Sequence, residues 1–217
     1  MKDKVIMIVP FKACSTMMIS GATGTGKTTF IHRLLKTPNA FTQPVKKIIY
    51  CYGVYQPLFD IMKNDIPNIE FHEGILSELE FDGQHNIVIF DDLVSQIVNS
   101  KSVENYFTQG AHHKCYTVIF ITQNLFAQGK CARTIALNTH YLILFKNLRD
   151  GQQIVNLGKQ IYPGRGQILV EAYTDATSHA YNYLVIDMSP HSEERYRLRS
   201  NIFEDTWIYV PKFIKDE

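Results

Sequence analysis

The sequence predicts an α/β fold in which a mostly parallel central sheet is flanked by helices on both faces. Two patterns carry this prediction. Short apolar, β-branched runs recur along the chain, and several are continuous rather than alternating, as in strands that are buried on both faces. Stretches with helical patterning separate these runs, and such an alternation of strands and helices is typical of a parallel sheet.

The predicted elements follow from these two patterns. The strand segments are residues 17–20, 47–51, 69–71, 87–90, 117–121, 141–145 and 183–186. The helical segments between them are residues 27–36, 57–63, 93–108, 132–138, 150–160 and 167–177. A chain of 217 residues suits one domain over residues 1–217, with a core of about residues 15–187 and a C-terminal extension of about residues 188–217.

Composition excludes several classes of protein. The 45% of hydrophobic and 20% of charged residues are typical of a globular protein with a core and argue against disorder. A net charge of +1 excludes a polycationic nucleic-acid condenser but leaves local basic patches open. No apolar run approaches the roughly 20 residues of a membrane helix, and Pro10 and Lys12 interrupt the N-terminal apolar run too early for a signal peptide.

The cysteines indicate the compartment. None of the four forms a C-x-x-C pair, and they are scattered along the chain at Cys14, Cys51, Cys115 and Cys131. We therefore expect reduced thiols and a soluble protein of the cell interior, in the cytoplasm or nucleus.

A phosphate-binding loop is the most specific motif. Residues 21–29 read GATGTGKTT and match G-x-x-x-x-G-K-[ST] between a predicted strand and a predicted helix. Glycines allow consecutive backbone N–H groups to face a phosphate, and the following helix adds the positive end of its dipole. We expect the whole loop to bind nucleotide, Lys27 to reach the β- and γ-phosphates and Thr28 to bind Mg²⁺. The binding residues are Gly21, Ala22, Thr23, Gly24, Thr25, Gly26, Lys27, Thr28 and Thr29.

Polar side chains at two further strand ends complete a candidate site for ATP hydrolysis. Asp91 and Asp92 follow the run 87–90, and Gln123 follows the run 117–121. If these strands lie beside the loop strand, Asp91 faces the Mg²⁺ and Asp92 orients or deprotonates an attacking water. Gln123 then lies within reach of the water or the γ-phosphate.

Two arginines flank a later strand. Either Arg133 or Arg149 is a candidate to stabilise the transferring phosphate of a neighbouring subunit, an effect worth about 10³–10⁵ in rate.

The chain resembles the genome-packaging ATPases of double-stranded DNA viruses and virus-like transposons. These form the poxvirus- and Maverick/Polinton-type branch of the FtsK–HerA superfamily of P-loop ATPases. The resemblance rests on GATGTGKTT, IVIFDDL, VIFITQNLF, ARTIALNTHYLILFKNLRD and YPGRG, and it runs from about residue 15 to about residue 210. It implies a P-loop NTPase fold of the RecA-like type, in a pentameric or hexameric ring that threads double-stranded DNA with ATP between subunits.

The resemblance implies a role for each residue that matches a functional position of the family. Lys27 and Thr28 hold phosphate and Mg²⁺, Asp91 holds Mg²⁺ through water, Asp92 takes the position of the catalytic acid, and Gln123 that of the polar sensor. For the trans-acting arginine, Arg149 in FKNLRD is the better match and Arg133 the second. Many relatives have Glu where Asp92 stands, and the shorter side chain implies a differently placed water.

The partners implied are double-stranded DNA, further copies of the chain and a capsid protein at the packaging vertex, with the protein intracellular or associated with a virion. DNA is contacted through Lys and Arg, and the candidates are His112 to Lys114, Lys130 to Arg133, Arg165, Arg195, Arg197 and Arg199. The last three alternate along ERYRLRS, so an extended segment would present one basic face. A motor also requires these clusters to converge on one pore-facing side.

Two other functions fit the phosphate loop. One is a nucleotide or nucleoside kinase, although no arginine-rich lid segment follows the third strand and the acidic pair suits attack by water. The other is an ATP-binding assembly factor for virion or filament morphogenesis. From the 217 residues we expect no nuclease domain of ordinary size, typically about 100–150 residues.

Overall fold

The computed structural model describes residues 2–5, 9–76, 83–97, 103, 105–107, 115–125 and 130–211. The strands β1 to β10 are Lys2–Val5, Thr16–Ser20, Lys47–Tyr52, Ile69–Glu73, Asn86–Asp91, Tyr116–Thr122, Tyr141–Phe145, Tyr183–Asp187, Leu198–Ser200 and Thr206–Tyr209. The helices α1 to α6 are Lys27–Lys36, Leu58–Asp65, Val94–Ile97, Lys130–Leu137, Gly151–Ile161 and Gln167–Ala176. Glu194–Tyr196 forms a 3₁₀ turn.

These strands form one sheet in the order β1-β10-β9-β8-β7-β2-β6-β5-β3-β4. The six strands from β7 to β4 run parallel, and β8, β9, β10 and β1 continue the sheet as antiparallel neighbours. The α/β fold with a mostly parallel sheet is thus confirmed. The segment after residue 187 contributes β9 and β10 to this same sheet.

Continuous apolar strands are explained by helices on both faces. Met17 and Ile19 of β2 pack with Phe30 and Ile31 of α1 and, farther along that face, with Met62 of α2. The intervening Met18 belongs to the opposite face, whose cluster includes Ile135, Leu157 and Leu169 from α4, α5 and α6. The strands β2, β5, β6 and β7 therefore bury both sets of alternating side chains, which is why their sequences are largely apolar, whereas the edge strand β4 leaves Glu70 and Glu73 exposed.

The fold brings three functional segments to the carboxyl edge of the parallel strands. Ser20 at the end of β2 pairs with Thr122 at the end of β6, and Ile121 pairs with Asp91 at the end of β5. The phosphate loop, the acidic pair and Gln123 each follow one of these ends, so the strand order places them side by side.

The predicted helix 93–108 is described in part. Its beginning is α3, and Val103 and residues 105–107 are also helical, whereas its other residues beyond Ile97 lie outside the described part of the chain. His112, His113 and Lys114 lie outside it as well.

The expectation of a basic face along residues 195–199 is wrong. The 3₁₀ turn interrupts the extended segment, and Arg199 lies in the core with 1% of its surface exposed, 3.7 Å from the carboxylate of Asp187. Its guanidinium lies 5.7 Å from the ring centre of Phe11. Arg197 binds the Glu194 carboxylate and the Asp187 carbonyl, so Arg195 is the exposed member of the three.

The expectation of reduced cysteines is also wrong for one pair. Cys14 and Cys115 form a disulfide across 101 residues of sequence. The pairing follows from the topology, because Cys14 precedes β2, Cys115 precedes β6, and these two strands are neighbours. Cys51 is a buried free thiol.

Candidate nucleotide site

The phosphate loop connects β2 to α1 and is stabilised from within. Gly26 adopts a φ of 91° immediately before the helix, a left-handed conformation that glycine accepts at no steric cost. The hydroxyl of Thr25 donates to the Ala22 carbonyl at 2.7 Å. The Lys27 ammonium donates to the carbonyls of Gly21 and Ala22 at 2.7 and 2.8 Å, so its charge sits over the concave side of the loop.

Burial and two carboxylates act on Lys27 in opposite directions. Partial burial lowers the pKa of Lys27, while Asp91 and Asp92 act to raise it. The ammonium thus faces both acids at the place where the loop would bind phosphate.

Asp91 is a buried carboxylate of the site. It is 5% exposed, and burial raises the pKa of its carboxyl, opposed first by a hydrogen bond from Tyr50. The Tyr50 hydroxyl donates to Oδ2 of Asp91 at 2.7 Å, and the Gln56 amide approaches the same oxygen at 3.4 Å. The Thr28 hydroxyl acts to lower the pKa of the same Tyr50 phenol, which therefore lies near both expected Mg²⁺ ligands.

The backbone turns sharply after Asp91. Asp92 has a φ of 56°, and its side chain is exposed to the cavity. The Gly53 N–H donates to the Asp91 carbonyl at 2.9 Å, and a Cβ on Gly53 would lie only 2.4 Å from the Asp92 carbonyl oxygen. Gly53 is therefore required by the close approach of β3 to the acidic turn.

Gln123 follows β6, which lies between β2 and β5, and it contacts the loop. The Thr23 hydroxyl donates to Oε1 of Gln123 at 3.2 Å, and the Asn147 amide donates to the Gln123 carbonyl at 3.3 Å. Asn147 also accepts a hydrogen bond from the Arg149 N–H at 3.1 Å, which ties the segment after β7 to the sensor position.

A cavity of about 520 Å³ brings most of the predicted residues together. Its lining includes Thr23, Gly24, Gly26, Lys27, Thr28, Thr29, Asp91, Asp92 and Gln123. Gln56, Pro57, Leu58 and Tyr181 also line it and were missed from the sequence, as was Tyr50.

A second cavity of about 700 Å³ adjoins the loop through Ala22, Thr23 and Gln123. Residues 146–150 form its other wall, so Arg149 lies beside its own subunit's loop, with an exposed side chain. Arg133 is exposed on α4, outside the described lining of both cavities.

The exposed arginines do not all lie at this edge. Arg149 follows β7 at the carboxyl edge, whereas α5 leads away from that edge to the turn that holds Arg165. The Arg165 N–H donates to the Tyr162 carbonyl, and Glu194, the neighbour of Arg195, acts to raise the pKa of Tyr162. Arg165 and Arg195 thus lie at the amino end of the parallel strands. Of the candidate DNA contacts, Arg165 and Arg195 therefore share one end, Arg133 lies on α4, and residues 112–114 lie outside the described part of the chain, so convergence of all these clusters stays a prediction.

Oxygen ligands at the site fit Mg²⁺. The Thr28 hydroxyl and the Asp91 carboxylate line the same cavity, and both act on the Tyr50 phenol. Mg²⁺ prefers such hard oxygen donors, and a cation there would offset the cost of burying the Asp91 charge. Among the described residues, no larger cluster of His, Cys, Asp and Glu suited to a metal is present.

A strand–loop–helix that carries this phosphate loop, beside a strand ending in an acid, defines the P-loop NTPase fold. Comparison with solved structures agrees. The genome packaging NTPase B204 from Sulfolobus turreted icosahedral virus 2, in complex with sulfate, matches with a TM-score of 0.51 and 13% identity over 91% of this chain and 96% of that chain. B204, the DNA-packaging ATPase from Sulfolobus turreted icosahedral virus, matches with a TM-score of 0.53 and 12% identity over 81% of this chain and 93% of that chain.

A structure of the first of these proteins with ATP-gammaS matches at a TM-score of 0.50 and 13% identity over 91% of this chain and 97% of that chain. At such low identity the likeness shows a shared fold. The sequence matches no protein-family model, and a search of curated proteins found no match. In the part of the chain that the structure describes, no helix has the length and apolar character needed to cross a membrane.

Proposed function

We propose that the chain is an ATP-hydrolysing motor that moves double-stranded DNA into a viral or virus-like capsid. One observation carries the ATPase part: Lys27, Thr28, Asp91, Asp92 and Gln123, from three separate segments, line a single cavity at one sheet edge. These groups match the phosphate-binding, Mg²⁺-binding and water-orienting parts of a P-loop ATPase site.

The chemistry assigns a task to each group. Lys27 and the N–H groups of the loop bind the phosphates, and Thr28 and Asp91 would hold Mg²⁺, which neutralises phosphate charge when bound. Asp92 has its side chain free in the cavity and orients or deprotonates the attacking water. Gln123, fixed by Thr23, contacts the water or the γ-phosphate.

Arginine completes the site in this proposal. Arg149 is exposed on a segment held to Gln123 by Asn147, and from there it acts on the γ-phosphate of a neighbouring subunit in a ring. Arg133, on α4, is the second candidate. A pentameric or hexameric ring, with ATP at each subunit boundary, is the assembly that makes an arginine in trans useful.

DNA transport is supported by two further observations. The sequence resembles packaging ATPases of the poxvirus- and Maverick/Polinton-type branch of the FtsK–HerA superfamily, and the fold is that of proteins named as packaging NTPases. Arg165 and Arg195 are the exposed arginines at the amino end of the strands, and we assign the DNA contact to them. A capsid protein is the further partner, inside the host cell or the virion.

Phosphate release from ATP, measured with and without linear double-stranded DNA at rising salt concentration, tests this function. We expect stimulation by DNA that weakens as salt rises, because contacts to phosphate release counterions. The double variant Arg165→Gln, Arg195→Gln should lose the stimulation and keep the DNA-independent rate, while Lys63→Gln, on α2, serves as the matched surface control.

Each alternative gives a different result. Hydrolysis that DNA leaves unchanged at every salt concentration would contradict the motor. Phosphate transfer to an added nucleoside or nucleotide would indicate a kinase, and ATP binding without turnover would indicate an assembly factor.

A further inference from the structure

Tyr181 combines an exposed aromatic ring with an unfavourable backbone conformation. The residue is 70% exposed and has a φ of 64°, a region that bulky side chains rarely occupy. It lies in the connection between α6 and β8, where the Asn182 N–H donates to the His179 carbonyl. Such a conformation costs free energy, and residues of this kind cluster at active sites and ligand-binding segments.

The Tyr181 ring lies against the phosphate loop. Its Cδ1 atom is 3.2 Å from the position that a Cβ on Gly26 would occupy, and Tyr181 lines the same cavity as Lys27 and Thr28. These two positions are 155 residues apart in sequence, so only the fold brings the ring to the nucleotide site.

Strand order gives the cavity two distinct sides. Asp91, Asp92 and Gln123 follow β5 and β6, on one side of β2, and they mark where the γ-phosphate must lie. Tyr181 precedes β8, and β8 is separated from β2 by β7 on the other side. A phosphate chain whose terminal phosphate faces the acids directs its nucleoside away from them, toward Tyr181.

We propose that Tyr181 is the stacking platform for the base of a purine nucleoside triphosphate. This inference rests on the proposed ATP site and specifies its base-binding part. Stacking on an aromatic ring does not read the hydrogen-bonding edge of a base. ATP and GTP therefore bind with similar affinity, and CTP, with its smaller ring, binds more weakly.

Calorimetric titration with ATP and with inorganic tripolyphosphate tests the proposal, with every variant built on Asp92→Asn so that ATP is not hydrolysed. Tyr181→Ala should weaken ATP binding about tenfold or more and leave tripolyphosphate within about twofold. Tyr181→Phe should bind both normally, because it keeps the ring. Leu137→Ala, which removes another exposed apolar side chain, is the surface control and should change neither affinity.

Different failures lead to different conclusions. Unchanged ATP affinity in Tyr181→Ala would overturn the stacking role and leave the ATP site intact. An equal loss of ATP and tripolyphosphate would also overturn it, because the ring would then support the loop around Gly26 rather than a base. If the Asp92→Asn parent protein bound neither ATP nor tripolyphosphate, the proposed ATP site would be wrong. The stacking role of Tyr181 would then be wrong as well.

Discussion

The Tyr50 hydroxyl donates a 2.7 Å hydrogen bond to Oδ2 of Asp91, and both side chains are buried. A buried carboxylate is costly unless its oxygens have partners. Tyr50 satisfies one oxygen of Asp91, and Thr28 acts on the pKa of the same phenol. The phenol therefore lies beside both groups that we assign to Mg²⁺.

Loss of this hydroxyl should weaken the metal site selectively. We expect Tyr50→Phe to raise the Mg²⁺ concentration needed for half-maximal ATP hydrolysis several-fold, with a nearly normal rate at saturating Mg²⁺, since hydrogen bonds to charged groups contribute about 1.5–3 kcal/mol. Binding of Mn²⁺, followed by its electron paramagnetic resonance signal, should weaken in parallel. Tyr141→Phe is the control. Tyr141 is a buried tyrosine at the start of β7, at the amino end of the parallel strands. If Tyr50→Phe and Tyr141→Phe needed the same Mg²⁺ concentration for half-maximal hydrolysis, Tyr50 would have no specific role in Mg²⁺ binding.

Substitution of Asp92 should abolish ATP hydrolysis without weakening ATP binding. Because its carboxylate is exposed in the cavity, Asp92→Asn is expected to bind ATP with normal affinity and to lose hydrolysis by about 10²-fold or more, the usual loss for a general base. Nucleotide binding and phosphate release, measured on the same preparation, test this. An Asp92→Asn protein with the full hydrolysis rate would exclude Asp92 from the mechanism.

Arg149 should act between subunits. Arg149→Ala alone is expected to lower kcat by a factor of about 10³ or more. Mixing Arg149→Ala subunits with Lys27→Ala subunits should restore part of the activity, since an intact loop then meets an intact arginine in some pairs. The same mixture with Arg133→Ala tests the second candidate. No recovery at any ratio would indicate that Arg149 serves its own subunit's site, which it borders in the second cavity.

His85 should make stability depend on pH. Its ring nitrogens lie 2.8 Å from the Thr117 hydroxyl and 3.1 Å from the Gln43 carbonyl, and burial lowers the pKa of His85. As the pH falls below about 6.5, the His85 imidazole is protonated in the unfolded chain before it is protonated in the folded protein. The folded protein therefore loses stability that it has at neutral pH. The free energy of unfolding of His85→Gln should therefore fall less between about pH 7 and about pH 5 than that of the parent.

Urea unfolding at the two pH values measures this difference, with His191→Gln, an exposed histidine, as control. Parallel stability curves for the parent and His85→Gln would contradict the role of His85. At neutral pH the variant should also be less stable by about 1–2 kcal/mol, because a buried hydrogen bond is lost.

Local signals explain what the sequence predicts well. The segment 27–36 is predicted as a helix, and α1 has the same bounds because the glycine before it and the apolar spacing within it are local features. The predicted strand 141–145 likewise matches β7. The second helix is shifted, since Pro57 precedes α2 as its cap.

Features that depend on distant pairing could not be predicted in this way. Tyr50 reaches Asp91 only because β3 and β5 are neighbours, although the aromatic residues in IIYCYGVY are a weak signal for a site there. The edge strand β1 has the charged sequence KDKV and forms by pairing with β10. Arg199 alternates with Arg197 along the chain, yet β9 lies between β8 and β10, and the arginine is buried by its neighbours.

Hydrolysis of ATP by the Lys27→Ala variant tests the central claim most directly. Lys27 is the cation over the phosphate loop and faces both acids. We predict that Lys27→Ala folds normally, binds ATP more weakly and releases no phosphate above the background without enzyme. Near-normal turnover in Lys27→Ala would contradict the assignment of this cavity as the site of ATP hydrolysis.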